Sequence, residues 1–299
     1  MAIPDDLTRF PLSVSDRNFL TFDRIPGELN RSIVPLVEMW RLGDGSAVVM
    51  PVGTAFVIGL LSSTEAVLAT ASHNIPDRVR NNESNLVVLF PKRNGQADIN
   101  DLQGFTIAGI SSAETSSDVA LMTTELDDSV VMPSLMPLGL EKPQIGENCL
   151  ALGYSRMVMG EPTELQADAL FHVSSSRGKI EVLYPSYRDS VKITFPCFQT
   201  DAFYEQGMSG GPVLGTSGQV IGIVSTCMES GKEGMPHTSH VALTAGMLEL
   251  PLPAEGESGR KIADLANAGL VSVEGVPTVT TRSEGHVTVS WPETGETPT

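Results

Sequence analysis

Apolar residues in this chain come in short runs rich in valine, isoleucine and small side chains, broken by glycine, proline, aspartate and asparagine. Runs of that length bounded by turn formers predict strands rather than long helices. The first set covers Ile33–Met39, Ala47–Met50, Thr54–Leu61, Ala66–Ala69, Leu86–Pro91, Phe105–Ile110 and Val119–Thr123. Gly43-Asp44-Gly45 predicts the hairpin turn between the first two. Asn74–Asn82 reads as a short helical turn and loop, and Lys92–Leu102 as a polar loop. Prolines in Glu125–Leu140 suit an extended crossover. A second set follows at Cys149–Leu152, Glu164–Val173, Lys179–Tyr184, Val191–Phe198, Val213, Val220–Thr226 and Val241–Leu243. Beyond Leu252 the chain turns acidic and small, predicting a short helix over Lys261–Ala268 and a hairpin of Val271–Val279 with His286–Trp291. Residues 1–31 are polar and proline-interrupted and read as an arm packed across the strand-rich body.

Composition sharpens this picture in three places. With 299 residues the chain can form one large or two small domains with a sizeable core. Its 28 glycines, 20 prolines and 5% aromatics fit an all-β protein with a few short helices better than a helical bundle. The formal net charge of −17 argues against nucleic acid or an anionic membrane as partner, since both repel an acidic surface. Met1–Phe10 lacks a basic region followed by an apolar stretch, which reads as no secretory signal. No apolar run approaches the roughly 20 residues of a membrane helix. Cys149, Cys197 and Cys227 are odd in number and read as free thiols in a reducing compartment, so the expected location is cytoplasmic.

The stretch Gly207-Met208-Ser209-Gly210-Gly211-Pro212 carries the chemistry. Between apolar runs it reads as a tight turn that shows a serine hydroxyl to solvent. Acyl transfer needs such a nucleophile together with N–H donors aimed at the developing oxyanion, here those of Gly207 and Ser209. A base and an orienting acid are available in His73, closing Ala69-Thr70-Ala71-Ser72-His73, and Asp118, at the mouth of Val119–Met122. Singly, each of these residues also reads as an ordinary turn or structural group.

The order His73, Asp118, Ser209, separated by 45 and 91 residues, resembles that of the chymotrypsin-like (trypsin-fold) serine proteases. Thr200-Asp201-Ala202 leading into the Gly207–Pro212 stretch is similar to the bacterial high-temperature-requirement (Deg) branch. So are Pro137-Leu138-Gly139-Leu140, Ile145-Gly146-Glu147 and Leu150-Ala151-Leu152-Gly153-Tyr154. The resemblance implies two six-stranded antiparallel β-barrels, about 32–130 and 145–250, after an arm over 1–31 and before an extension over 251–299. It implies a serine endopeptidase acting on protein or peptide substrates through a Ser209–His73–Asp118 triad and an acyl-enzyme, without cofactor. The extension is too short for the peptide-binding domain that Deg proteases usually carry.

By the same analogy the first specificity pocket would be lined by Phe203, Tyr204, Gln206, Ser225, Thr226 and Cys227, with small apolar side chains as the preferred fit. The position at which a lysine- or arginine-specific relative carries an acid falls near Phe203, so a basic first-site residue is not expected. Ser225 also matches the residue that orients the triad aspartate. His240 reads either as facing this pocket or as a surface histidine. Met208 replaces the aspartate that pairs with a newly cut N-terminus in zymogen-type relatives, so activation by that insertion is not expected. His237 and His240 lack the companions of a metal site. The competing reading is a catalytically silent protease fold serving as a binding or scaffold protein. An esterase, and a regulatory protein partner, also remain open.

Overall fold

The computed structural model describes residues 18–20, 31–93, 102–113, 116–160, 169–228, 238–253, 259–275, 277–281 and 287–292. Within them the strands run β1 (Asn18–Leu20), β2 (Ile33–Arg41), β3 (Ala47–Leu60), β4 (Glu65–Ala71), β5 (Asn85–Pro91), β6 (Leu102–Thr106), β7 (Gly109–Ala113), β8 (Val119–Glu125) and β9 (Leu138–Gly139). They continue as β10 (Asn148–Met159), β11 (Ala169–Tyr184), β12 (Cys197–Thr200), β13 (Pro212–Leu214), β14 (Val220–Met228), β15 (Thr238–Leu243), β16 (Val273–Glu274), β17 (Thr278–Thr281) and β18 (Val287–Ser290). Two short α-helices, α1 (Asp77–Arg80) and α2 (Ile262–Asn267), and two 3-10 segments, Ser72–Asn74 and Thr244–Glu249, complete the described elements.

The first barrel orders its strands β6-β5-β2-β3-β4-β8-β7. The single strand read over Phe105–Ile110 is broken into β6 and β7, and the connection between them closes the seam. There Ile107 N–H donates to the Leu86 carbonyl on β5 and Ala108 N–H to the Thr123 carbonyl on β8. Six strand positions therefore enclose a core of Val34, Leu36, Val57, Leu68, Phe90 and Met122. The runs Ala47–Met50 and Thr54–Leu61 merge into β3, with Pro51 beside a register shift, where a missing ladder donor is tolerated.

The second barrel is a closed ring, β13-β10-β11-β12-β15-β14, with β14 returning to β13. One long strand, β11, replaces the two read at Glu164–Val173 and Lys179–Tyr184, and residues 164–168 of that reading lie outside the described ones. Val191–Phe198 is not a strand: only Cys197 and Phe198 fall in β12, and Val191 is 82% exposed. The Asp189 carboxylate accepts the Val191 and Lys192 N–H groups at 2.9 and 2.6 Å, curling the segment into a turn between Pro185 and Pro196.

The chain beyond the second barrel ties both halves together. Val271 bridges Gly59 of the first barrel, and β16 lies parallel to β9 on the edge of the second. Ile262 and Leu265 of α2 join the central apolar cluster, which also holds Phe56 and Leu121 of the first barrel and Leu152 and Ile223 of the second. The β17–β18 hairpin is shorter than the one read from sequence, and His286 lies outside the described residues. Trp291 donates its indole N–H to the Leu140 carbonyl at 2.8 Å.

Candidate functional site

Antiparallel pairing of β4 with β8 sets Ala71 opposite Val119, so the end of one strand lies beside the start of the other. His73, on the 3-10 segment after β4, and Asp118, just before β8, thereby become neighbours. Asp118 has φ +47°, a left-handed conformation that aspartate and asparagine tolerate better than most side chains. Its carboxylate lies 3.0 Å from His73 Nδ1, accepts the His73 backbone N–H at 3.2 Å, and accepts the Ser225 hydroxyl at 2.5 Å. The carboxylate is thus fixed from three directions and in turn holds the imidazole at Nδ1, while the ring remains accessible, with 47% of the side chain exposed.

From the other barrel, the loop between β12 and β13 brings Ser209 Oγ to 2.6 Å from His73 Nε2. The Ser225 carbonyl competes for the same hydroxyl at 2.7 Å. Ser209 has one proton, so its partner depends on the histidine. A neutral imidazole with Nδ1–H on Asp118 accepts the proton at Nε2. An imidazolium instead donates to Oγ and leaves the serine proton on the Ser225 carbonyl. Burial works against the charged imidazole, but the hydrogen bond and negative charge of Asp118 outweigh it and hold the His73 pKa above the usual 6.5.

Gly207 has φ +95°, available to glycine at little cost. Among the described residues the Gly207 and Ser209 N–H groups donate to no acceptor, while those of Met208, Gly210 and Gly211 are all engaged. Met208 is 1% exposed and packs in the apolar cluster of Ala151, Ala202, Val213 and Val224.

The residues read as a pocket divide differently. Phe203, Thr226 and Cys227 are half-buried and Gln206 is exposed. Ser225 turns its hydroxyl to Asp118, and Tyr204 is buried in the same cluster as Met208. His240 is not the surface histidine of one reading, and it stands directly across β14 from Thr226, a residue of the expected pocket. At 0% exposure it sits on β15 beside Val241, which packs with Tyr204 and Val224. Adjacent strand residues face opposite ways, and Ala242 packs with Cys197 and Ile193 on the His240 side. Burial, then the charge of Arg188, push the His240 pKa down to about 4, so it is neutral. Among the described residues no cluster of His, Cys, Asp and Glu suits a metal ion, and His237 lies outside them.

Thr54, Thr70 and Asn74 are functional-site neighbours that the strand reading passed over. Each is a buried or half-buried polar group of the first barrel that bonds to the serine loop or to one another. Their signal was a hydroxyl or amide at a position whose apolar neighbours predict burial, since a buried polar group needs a partner.

A family model described as the trypsin-like peptidase domain matches residues 53–223. A protein of Chlamydia trachomatis serovar D named "Probable periplasmic serine endoprotease DegP-like" is 31% identical over 136 residues, covering 46% of this chain and 24% of that protein. Its namesake in Chlamydia pneumoniae is 36% identical over 85 residues, covering 28% of this chain and 16% of the relative. The matches thus span about a quarter or less of those relatives' length. Among solved structures, the active form of the Rv3671c protease from M. tuberculosis has a TM-score of 0.45 at 20% identity, covering 82% of this chain and 84% of that one. Deg5 has a TM-score of 0.45 at 17% identity, covering 73% and 86%.

The relatives' periplasmic naming overturns the cytoplasmic expectation drawn from the cysteines. The physical reason is that unpaired thiols here report packing rather than redox poise. Burial pushes Cys149 up to about 11 and Cys197 to about 12, so neither forms the reactive thiolate at neutral pH in any compartment. More than half of the chain lies in the matched segment, which contains His73, Asp118 and Ser209, and the chain belongs to the trypsin-like peptidase domain family.

Proposed function

We propose that the protein is a serine endopeptidase whose nucleophile is Ser209, with His73 as general base and acid and Asp118 as the orienting carboxylate. The observation that carries this reading is the unbroken chain Asp118–His73–Ser209, with contacts of 3.0 and 2.6 Å across two barrels. His73 Nε2 takes the serine proton as the Oγ–C bond forms at a peptide carbonyl. The tetrahedral oxyanion lies against the Gly207 and Ser209 N–H groups. The proton then passes to the departing amine as the C–N bond breaks, and water repeats the sequence on the acyl-enzyme. Asp118 stabilises the imidazolium without taking the proton, and Ser225 steadies Asp118. We infer a periplasmic location from the naming of the relatives.

Incubating the full chain with a fluorophosphonate and mapping the adduct tests this directly. The expected result is one covalent adduct on Ser209, absent from Ser209→Ala. Absence of an adduct across pH 5–9, with the chain folded, favours the silent scaffold. Labelling with turnover of p-nitrophenyl acetate but of no member of a peptide library favours an esterase.

A pH dependence follows from the raised His73 pKa. Neutral His73 is the competent form, so kcat/KM should fall as pH drops, with its acid limb centred above 6.5. A pH–rate profile whose acid limb lies well below that value would contradict the assignment of His73 as base.

A further inference from the structure

We propose that Thr54, in the first barrel, is a positioning residue for the oxyanion hole carried by the second, acting through the Gly207 carbonyl. The inference rests on the reading of Ser209 as nucleophile. Thr54 Oγ1 accepts the Tyr154 backbone N–H at 2.8 Å, and its own proton goes to the Gly207 carbonyl, also at 2.8 Å. The Thr54 backbone N–H donates to the Ser209 carbonyl at 2.9 Å. One residue of β3 therefore grips the carbonyls on both sides of Met208.

The rest of the loop is gripped as well. Asn74 Nδ2 donates to the Ser209 carbonyl at 2.8 Å, and the Met208 carbonyl accepts Gly211 N–H at 2.9 Å. Met208 and Gly210 donate their N–H groups to the carbonyls of Glu205 and Val224. Within Gly207–Gly211, only the Gly207 and Ser209 N–H groups are left without an acceptor among the described residues. Those are the two donors the tetrahedral intermediate needs.

Gly207 is the weak point of this arrangement. With no Cβ it populates positive and negative φ about equally, so the Gln206–Gly207 peptide can turn its N–H away from the site. The Thr54 hydroxyl, bonded to the Gly207 carbonyl, pins the next peptide unit, Gly207–Met208, and so fixes the Gly207 Cα about which such a turn would pivot. Because that hydroxyl also holds Tyr154 N–H, it ties the loop to β10 and to the first barrel together. A residue remote from the reacting atoms thereby sets how often the hole is formed.

The test compares the wild-type chain with Thr54→Val, which keeps the shape and removes the hydroxyl, and with Thr54→Ser, which keeps the hydroxyl. The readouts are the second-order rate of fluorophosphonate labelling, kcat and KM for p-nitrophenyl acetate, and the unfolding midpoint. Thr54→Val should lower kcat and the labelling rate roughly 10-fold with KM little changed, less than the 10²–10³-fold of deleting an oxyanion donor. Thr54→Ser should recover most of both. Thr54→Cys, a weaker donor, should fall between Thr and Val, and serves if the valine variant does not fold.

Wild-type rates in Thr54→Val, or in Thr54→Cys where that variant stands in, overturn the proposal. So does a loss in Thr54→Ser as large as in Thr54→Val, because the methyl group and not the hydroxyl would then be responsible. A wild-type chain that does not label at all instead removes the reading of Ser209 as nucleophile, and this inference with it.

Discussion

Asp118→Asn is expected to lower kcat about 10⁴-fold at neutral pH while leaving the chain folded. Asparagine accepts the left-handed backbone at this position, so the substitution adds little strain where alanine would add more. It can still accept the Ser225 hydroxyl through its carbonyl oxygen. What changes is the face it shows to His73. An amide N–H2 opposite Nδ1 makes that nitrogen an acceptor and puts the imidazole proton on Nε2, where it cannot receive the proton of Ser209.

The pH profile separates this loss from a merely structural one. In the wild type, burial disfavours the imidazolium, and the Asp118 hydrogen bond and charge more than compensate. Removing the carboxylate leaves burial alone, so the acid limb of the residual activity should lie at lower pH than in the wild type. A variant with an unchanged acid limb and a kcat within about tenfold of wild type would remove Asp118 from the mechanism.

Much of this site is legible in the sequence because its residues stand at the ends of strands. Apolar runs closing at His73 and opening at Asp118 put both at one rim of a barrel, and the β4–β8 register completes the approach. Glycines around Ser209 marked a turn whose backbone conformations few other residues adopt. Local patterns failed where longer-range partners decided the outcome. Val191–Phe195 alternates like a strand, but the Asp189 carboxylate captures its amides before a ladder can form. His240 looked ambiguous because facing direction depends on register, and pairing with Gln199 and Thr226 turns it into the core. Thr54 and Asn74 were invisible as site residues because their partners lie 153 and 135 positions away.

The second large effect is expected at Gly210, where Gly210→Ala should destabilise the fold by about 3 kcal/mol or more and abolish serine labelling. Gly210 has φ +85°, a conformation that costs an alanine roughly 1–2 kcal/mol by itself. A Cβ there would also strike the Thr54 carbonyl, the Thr70 hydroxyl and the Asn74 amide. None of these is the free end of a flexible chain. The Thr70 hydroxyl donates to the Thr54 carbonyl at 2.7 Å, and Asn74 donates to both Thr70 Oγ1 and the Ser209 carbonyl. Relief would therefore mean separating the barrels at the seam that supports the nucleophile, adding roughly 1–3 kcal/mol of overpacking. Guanidinium unfolding followed beside labelling distinguishes the two contributions: a variant of nearly wild-type stability that still labels would show that the seam yields. Gly210→Ala in a Thr70→Ala background should recover part of the stability, because one of the three obstructing groups is gone, but not the part due to φ.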